Sequence, residues 1–131
     1  MVTLHYRLWR RLIIVPAMIE NSGRKVNLDM VLDTGCASTL VVPRIFDDLD
    51  VEISDIGRKT TIHSALGSEE GRLFRVKRFE IFGRSFVNQI LDCHALPEYF
   101  QIDGLIGMDV LNQFSFKVDP RKKLITTDIV Y

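Results

Sequence analysis

The feature that most constrains this chain is the shortness of its apolar runs. Turn-forming residues cut them off repeatedly, which is the signature of many strands and few helices. Ile13 to Ile19 is rich in Ile and Val and reads as a strand. "ENSGRK" then brings Asn21, Ser22 and Gly23, a turn. Val26 to Leu32 alternates as VNLDMVL, which puts Val26, Leu28, Met30 and Leu32 on one face. Leu40 to Val42 is a third short run, and Pro43 follows it. A proline at a first helical position, with acids behind it, predicts a short helix in "PRIFDDLDVEI". Lys59 to Val76 reads as two strands around "SALGSEEG", a connection loosened by Gly67 and Gly71. Phe79 to Phe82 and Ser85 to Leu91 flank Gly83-Arg84, a tight hairpin. "QIDGLIGMDVLNQF" predicts strand, turn and a short amphipathic helix from Met108 to Phe114. "FSFKVDPRKKLITTDIV" predicts two last strands around Asp119-Pro120-Arg121-Lys122, with Pro120 where a type I turn accepts it.

Eight or so strands with one or two short helices is an all-β pattern. A closed or nearly closed β-barrel is the natural way to hide so many edges. The 131 residues are one ordinary domain, spanning 1–131. Hydrophobic residues are 47% and charged residues 26%, a globular balance, and the formal net charge is zero. That balance argues against a nucleic acid or a membrane surface as partner. Two cysteines, Cys36 and Cys93, are too few for a disulfide framework. "RRLIIVPAMIE" has the basic-then-apolar order of a secretory signal. Its run is short, holds Pro16 and ends at Glu20, so it reads as a strand. No run approaches the ~20 apolar residues of a membrane span. The expectation is a soluble, cytoplasmic protein.

The chemistry-bearing stretch is "VLDTGCASTL", Val31 to Leu40. An apolar strand runs into Asp33, then into Thr34, Gly35 and the small residues Cys36, Ala37, Ser38 and Thr39. Such a segment presents one carboxylate rigidly. A single carboxylate is a poor catalyst, whereas two about 3 Å apart share a proton and supply a base and an acid together. The chain offers one Asp-Thr-Gly. The simplest second copy comes from a C2 homodimer whose axis passes between the two Asp33 residues. Plainer readings stand beside this one. Asp33 can be a turn former after a strand. Asp103 and Asp109 flank Leu105-Ile106-Gly107 and are intrachain candidates for a second acid, but neither carries the Thr-Gly that would hold it. Cys36 with His63 or His94 lacks a cysteine-protease context, and a buried structural thiol fits it better. Cys93 and His94 are adjacent, so on a strand they point apart and make poor joint metal ligands. His5 reads as a surface residue, and no metal or cofactor is expected.

"LDTGCASTL" resembles the active-site segment of the retropepsin-like aspartic proteases, the family of the retroviral proteases. "DGLIGMDVL" is similar to that family's second segment, two apolar residues and a glycine crossing behind the catalytic loop. The resemblance is closest to single-domain bacterial members and covers Ile13 to Ile129. It implies the pepsin/retropepsin-like barrel, with each chain one half of a C2 dimer. It implies Asp33 as catalytic carboxylate, Thr34 locking two loops across the axis, and Gly35 against substrate backbone. It implies a flap over Ile62 to Glu70, with Ala65, Leu66, Gly67 and Ser68 at its tip, and Leu105, Ile106 and Gly107 as loop support. The implied activity is aspartic endopeptidase cleavage of extended polypeptides by water activated between two Asp33 carboxylates. No cofactor and no metal are implied. The terminal segments Thr3 to Arg10 and Leu124 to Tyr131 are candidates for the rest of the dimer contact. Cys36 departs from the alanine usual in the retroviral enzymes. The alternatives are a non-catalytic peptide-binding or dimerisation domain on the same fold and, further off, an unrelated β-barrel.

Overall fold

The computed structural model describes residues 1–49, 51, 59–64, 67–97 and 99–129, with the backbone alone at 59–64, 67–70 and 129. In chain order the elements are β1 (Val2–His5), β2 (Arg7–Trp9), β3 (Leu12–Asn21), β4 (Arg24–Leu32), β5 (Leu40–Val41), α1 (Pro43–Asp48), β6 (Lys59–Ser64), β7 (Gly67–Ile81), β8 (Arg84–Cys93), β9 (Gly104–Ile106), α2 (Met108–Leu111), β10 (Phe114–Asp119) and β11 (Leu124–Ile129). Among the described residues the fold is all-β with two short helices. Eight strands pair in the order β2-β3-β4-β9-β5-β8-β7-β6, and β7 also returns to pair with β3. The pairings therefore run as a ring through β3, β4, β9, β5, β8 and β7, with β2 and β6 as outer strands. A separate sheet has the order β1-β11-β10.

Alternation fills the ring. On β3, Val15, Ala17 and Ile19 face inward while Pro16 is exposed. On β4, Leu28 and Met30 are buried in the same core, and Val26 and Leu32 pack on its margin. Val41, Leu49, Val76, Phe79, Leu91 and Ile106 complete it, each fully enclosed. Ile14 and Val31 point the other way and meet Ile102, with Trp9, Phe100 and Leu105 packed around them. This second cluster lies beside the strand ends that carry the candidate site.

The turns follow an exacting rule. A two-residue hairpin of type I′ needs positive φ at both central residues. Ser22-Gly23 meets it at 50° and 75°, and Phe82-Gly83 at 53° and 73°. Arg10-Arg11 meets it at 49° and 67° with no turn-forming residue at all. The second hairpin thus turns one residue earlier than Gly83-Arg84. β7 is also longer than expected. It runs unbroken for 15 residues, so Gly71 lies inside the strand opposite Thr60 and not in a connection. α1 starts at Pro43 as expected. α2 covers four residues and ends at Leu111, because Phe114 already belongs to β10. Asp119 Oδ1 accepts the N–H groups of Arg121 and Lys122 (3.1 and 3.2 Å), fixing the last turn.

Two site expectations meet this frame directly. β6 and β7 form the hairpin assigned to the flap, with Ser64 opposite Gly67 and His63 opposite Ser68. Ala65 and Leu66 lie outside the described residues, as does the side chain of Ser68. The terminal segments pair with each other in one chain, Val2 to His5 against Leu124 to Thr127. Their shared edge is therefore occupied without a second copy.

Candidate active site

The site is built by a crossing. β4 delivers Asp33. β9 lies alongside β4 in parallel, with Val31 opposite Leu105 and Leu32 opposite Ile106. β5 flanks β9 on its other side, antiparallel, with Leu40 opposite Leu105. Residues 33–39 must therefore pass over the end of β9 to join β4 to β5. Glycine makes that passage physically possible. A Cβ on Gly107 would lie 2.6 Å from the Ser38 carbonyl carbon and 2.8 Å from the Cys36 oxygen. A Cβ on Gly104 would lie 2.1 Å from the Leu40 oxygen.

Backbone bonds hold the loop at both ends. Asp33 N–H donates to the Ile106 carbonyl (3.0 Å) and Cys36 N–H to the Asp33 carbonyl (3.2 Å). Helix α2 has unpaired N–H groups in its first turn, as every helix does. Here the loop satisfies two of them, since Met108 N–H donates to Cys36 O (2.8 Å) and Asp109 N–H to Ala37 O (3.1 Å). Thr39 is the side-chain bolt. Its hydroxyl donates to Asp109 Oδ1 (2.7 Å) and accepts from Gly107 N–H (3.0 Å), and its own N–H donates to the same carboxylate oxygen (2.9 Å). Thr39 is fully buried, so these partners replace water that it has lost.

The result is a half-buried Asp33 carboxylate beside exposed Thr34 and Gly35. Gly35 N–H donates to Asp33 Oδ1 at 2.9 Å, which fixes the orientation of the carboxylate. The segment Leu105-Ile106-Gly107 lies directly behind it. Asp103 and Asp109, the intrachain candidates for a second acid, are committed elsewhere. Asp103 accepts from Asp29 N–H (2.7 Å) and pairs with Arg44. Asp109 holds Thr39. This anchoring contact is not legible in the sequence, because the two residues lie 70 apart and share no motif.

Cys36 is buried, and its thiol donates to Ser38 O at 3.1 Å. Burial pushes that thiol up from its ordinary value, against the Ser38 bond and with help from the Asp33, Asp109 and Asp92 charges. A nucleophile needs the opposite shift. Cys93 is pushed up to about 11, chiefly by burial and next by the Asp47 charge. Both cysteines are free thiols. Cys93 and His94 line a cavity of about 540 Å³ with Phe46, Asp47, Arg72 and Phe74. Among the described residues no group of three or more His, Cys, Asp or Glu could hold a metal ion, and no helix is long and apolar enough to cross a membrane.

The family model described as gag-polyprotein putative aspartyl protease matches residues 17–113. A solved retropepsin-like aspartic protease from Rickettsia conorii is similar to the chain with a TM-score of 0.66 at 20% sequence identity, covering 94% of this chain and 87% of that one. At that identity the likeness shows a shared fold. No curated protein matches the sequence.

Proposed function

The chain belongs to the family of gag-polyprotein putative aspartyl proteases, and on that premise we propose that it is an aspartic endopeptidase completed by a second copy of itself. The observation that carries this reading is the Asp33 loop. It is anchored at both ends, packed closely over Gly107, and presents one oriented carboxylate at an exposed surface. A C2 axis through that surface supplies the second carboxylate without a second motif.

The chemistry follows from like charges sharing a site. Two Asp33 carboxyls in contact keep one proton between them. The ionised member takes a proton from a bound water, and the oxygen attacks the carbonyl carbon of the scissile peptide. The protonated member donates to the carbonyl oxygen as charge builds there. A proton passed to the leaving nitrogen completes the hydrolysis. Thr34 beside the axis bonds loop to loop, and Gly35 leaves room for an extended substrate backbone. The β6–β7 hairpin is the element that would close over that substrate. The polypeptide pairs as an added strand between hairpin and floor.

Asp33→Asn tests the reading. Cleavage of an extended-peptide library should disappear while the melting temperature and the dimer persist. Turnover by that variant would overturn Asp33 as catalyst. A dimer that binds peptides with no turnover in the wild type would favour the non-catalytic alternative. Specific activity should also fall on dilution, since monomer has half a site.

A further inference from the structure

Asp92 is a carboxylate that the mechanism does not use. It is 4% exposed, and its Oδ1 has no hydrogen-bond partner among the described residues. A buried acceptor without a partner is costly, so this oxygen has capacity for one more donor. Its position says which donor. β8 runs parallel to β5 with Leu40 opposite Asp92, and Asp92 N–H donates to Thr39 O (3.1 Å). Leu40 packs with Cys36 and Leu105, on the side of the sheet that carries the Asp33 loop. Val41, its neighbour, packs into the main core on the other side. Asp92 shares the face of Leu40 and therefore lies under the catalytic loop. Ser38 is half-buried within that loop and lies near the same carboxylate. Burial raises the Asp92 carboxyl above its ordinary value, and the nearby Ser38 hydroxyl only partly offsets it. The local field is also one-signed. The charges felt at Cys36, in the middle of the loop, are those of Asp33, Asp109 and Asp92.

We propose that Ser38 and Asp92 form the floor of a side-chain subsite beside Asp33, and that this subsite takes the cationic head of an arginine or lysine in the substrate. This rests on the endopeptidase reading and names its substrate class. A guanidinium or ammonium supplies the missing donor to Oδ1 and neutralises a charge that burial disfavours. Ser38 is the part of the pair nearest the surface, so it meets the incoming head group first. Asp92 lies behind it, where low solvent exposure strengthens a charge pair. A neutral side chain of the same shape would leave the carboxylate unpaired.

The test compares peptides that carry arginine or its uncharged isostere citrulline at each position around the scissile bond. At one position the wild type should prefer arginine by about tenfold or more in kcat/KM, as a charge-assisted bond implies. Asp92→Asn should bring that ratio close to one, and Ser38→Ala should reduce it. Asp48→Asn, an exposed carboxylate on α1, should leave the ratio as it is. The same pairs are measured for binding to the Asp33→Asn protein, where cleavage plays no part. Cleavage without an arginine preference at any position would overturn the subsite, as would a preference that survives Asp92→Asn in a folded protein. Failure of all cleavage would overturn the endopeptidase reading, and the binding ratio would still decide the subsite. Equal affinity for the two peptides, or none, would then end it.

Discussion

The Asp33 loop and the terminal β1-β11-β10 sheet are held in opposite ways. The sheet is a ladder of ten register pairs, four from β1 and six from β10. Its load is spread, and its first residues, Met1 and Val2, are exposed. The loop hangs on a few contacts, namely backbone bonds to Ile106, Met108 and Asp109, one Thr39 hydroxyl, one Asp109 oxygen and two glycines without room for a methyl group. A spread ladder tolerates single changes. A bolted loop positions one carboxylate to within fractions of an ångström and is brittle for the same reason.

The sharpest break in that comparison is Gly104→Ala. Its Cβ would lie 2.1 Å from a backbone oxygen, which cannot swing away as a side chain does. Denaturant titration should show a loss of about 3 kcal/mol or no folded protein at all. Gly23→Ala is the contrast. Nothing lies within 4 Å, so only the positive φ of 75° costs, roughly 1 kcal/mol.

Thr39→Val keeps the shape and removes the bolt. Gly107 N–H then loses its partner in a buried place, and Asp109 Oδ1 loses one of its three donors. A loss of about 2 kcal/mol is expected, with peptide cleavage falling more than stability alone explains. In the terminal sheet, Val2→Thr at an exposed position should move stability by less than about 0.5 kcal/mol.

Smaller effects are read by pH. Asp92 is raised in the folded chain, so between its unfolded and folded values the native state binds the extra proton. Stability from this group is present below its ordinary value of 3.8 and is lost as pH rises through the folded value. Asp92→Asn should therefore melt higher than wild type near neutral pH, with the gain shrinking toward pH 4. Cys93 behaves alike at the basic end. Its contribution is intact below pH 9.0 and is lost as pH rises through about 11. Cys93→Ala should flatten the fall in melting temperature over that window.

The sequence carried much of this because period and turn chemistry are local. The alternation of β3 and β4, the Ser22-Gly23 turn and the start of α1 at Pro43 are all legible over a few residues. The Asp33 segment and Leu105-Ile106-Gly107 are legible as well, since each needs small residues at fixed places. Other features arise from tertiary context. Arg10 and Arg11 adopt positive φ without any residue that favours it, while Arg10 lies over the Trp9 and Tyr99 rings (5.0 and 5.4 Å). Phe82 does so while buried against Phe114. Gly71 reads as a loop residue, yet neighbouring strands keep β7 extended through it. Asp109 reads as an early helical acid, and only the crossing reveals it as the anchor of Thr39. Asp92 lies in an ordinary alternating strand, and its burial depends on β5 running beside it.

The claim that two copies of Asp33 make one active site is tested most directly by mixing. Wild-type and Asp33→Asn chains are combined at constant total concentration, allowed to exchange, and assayed on a cleavable peptide. If both carboxylates are needed, activity follows the square of the wild-type fraction, about one quarter at equal parts for random pairing. A linear fall, about one half at equal parts, would mean that each chain works alone and would contradict the shared site.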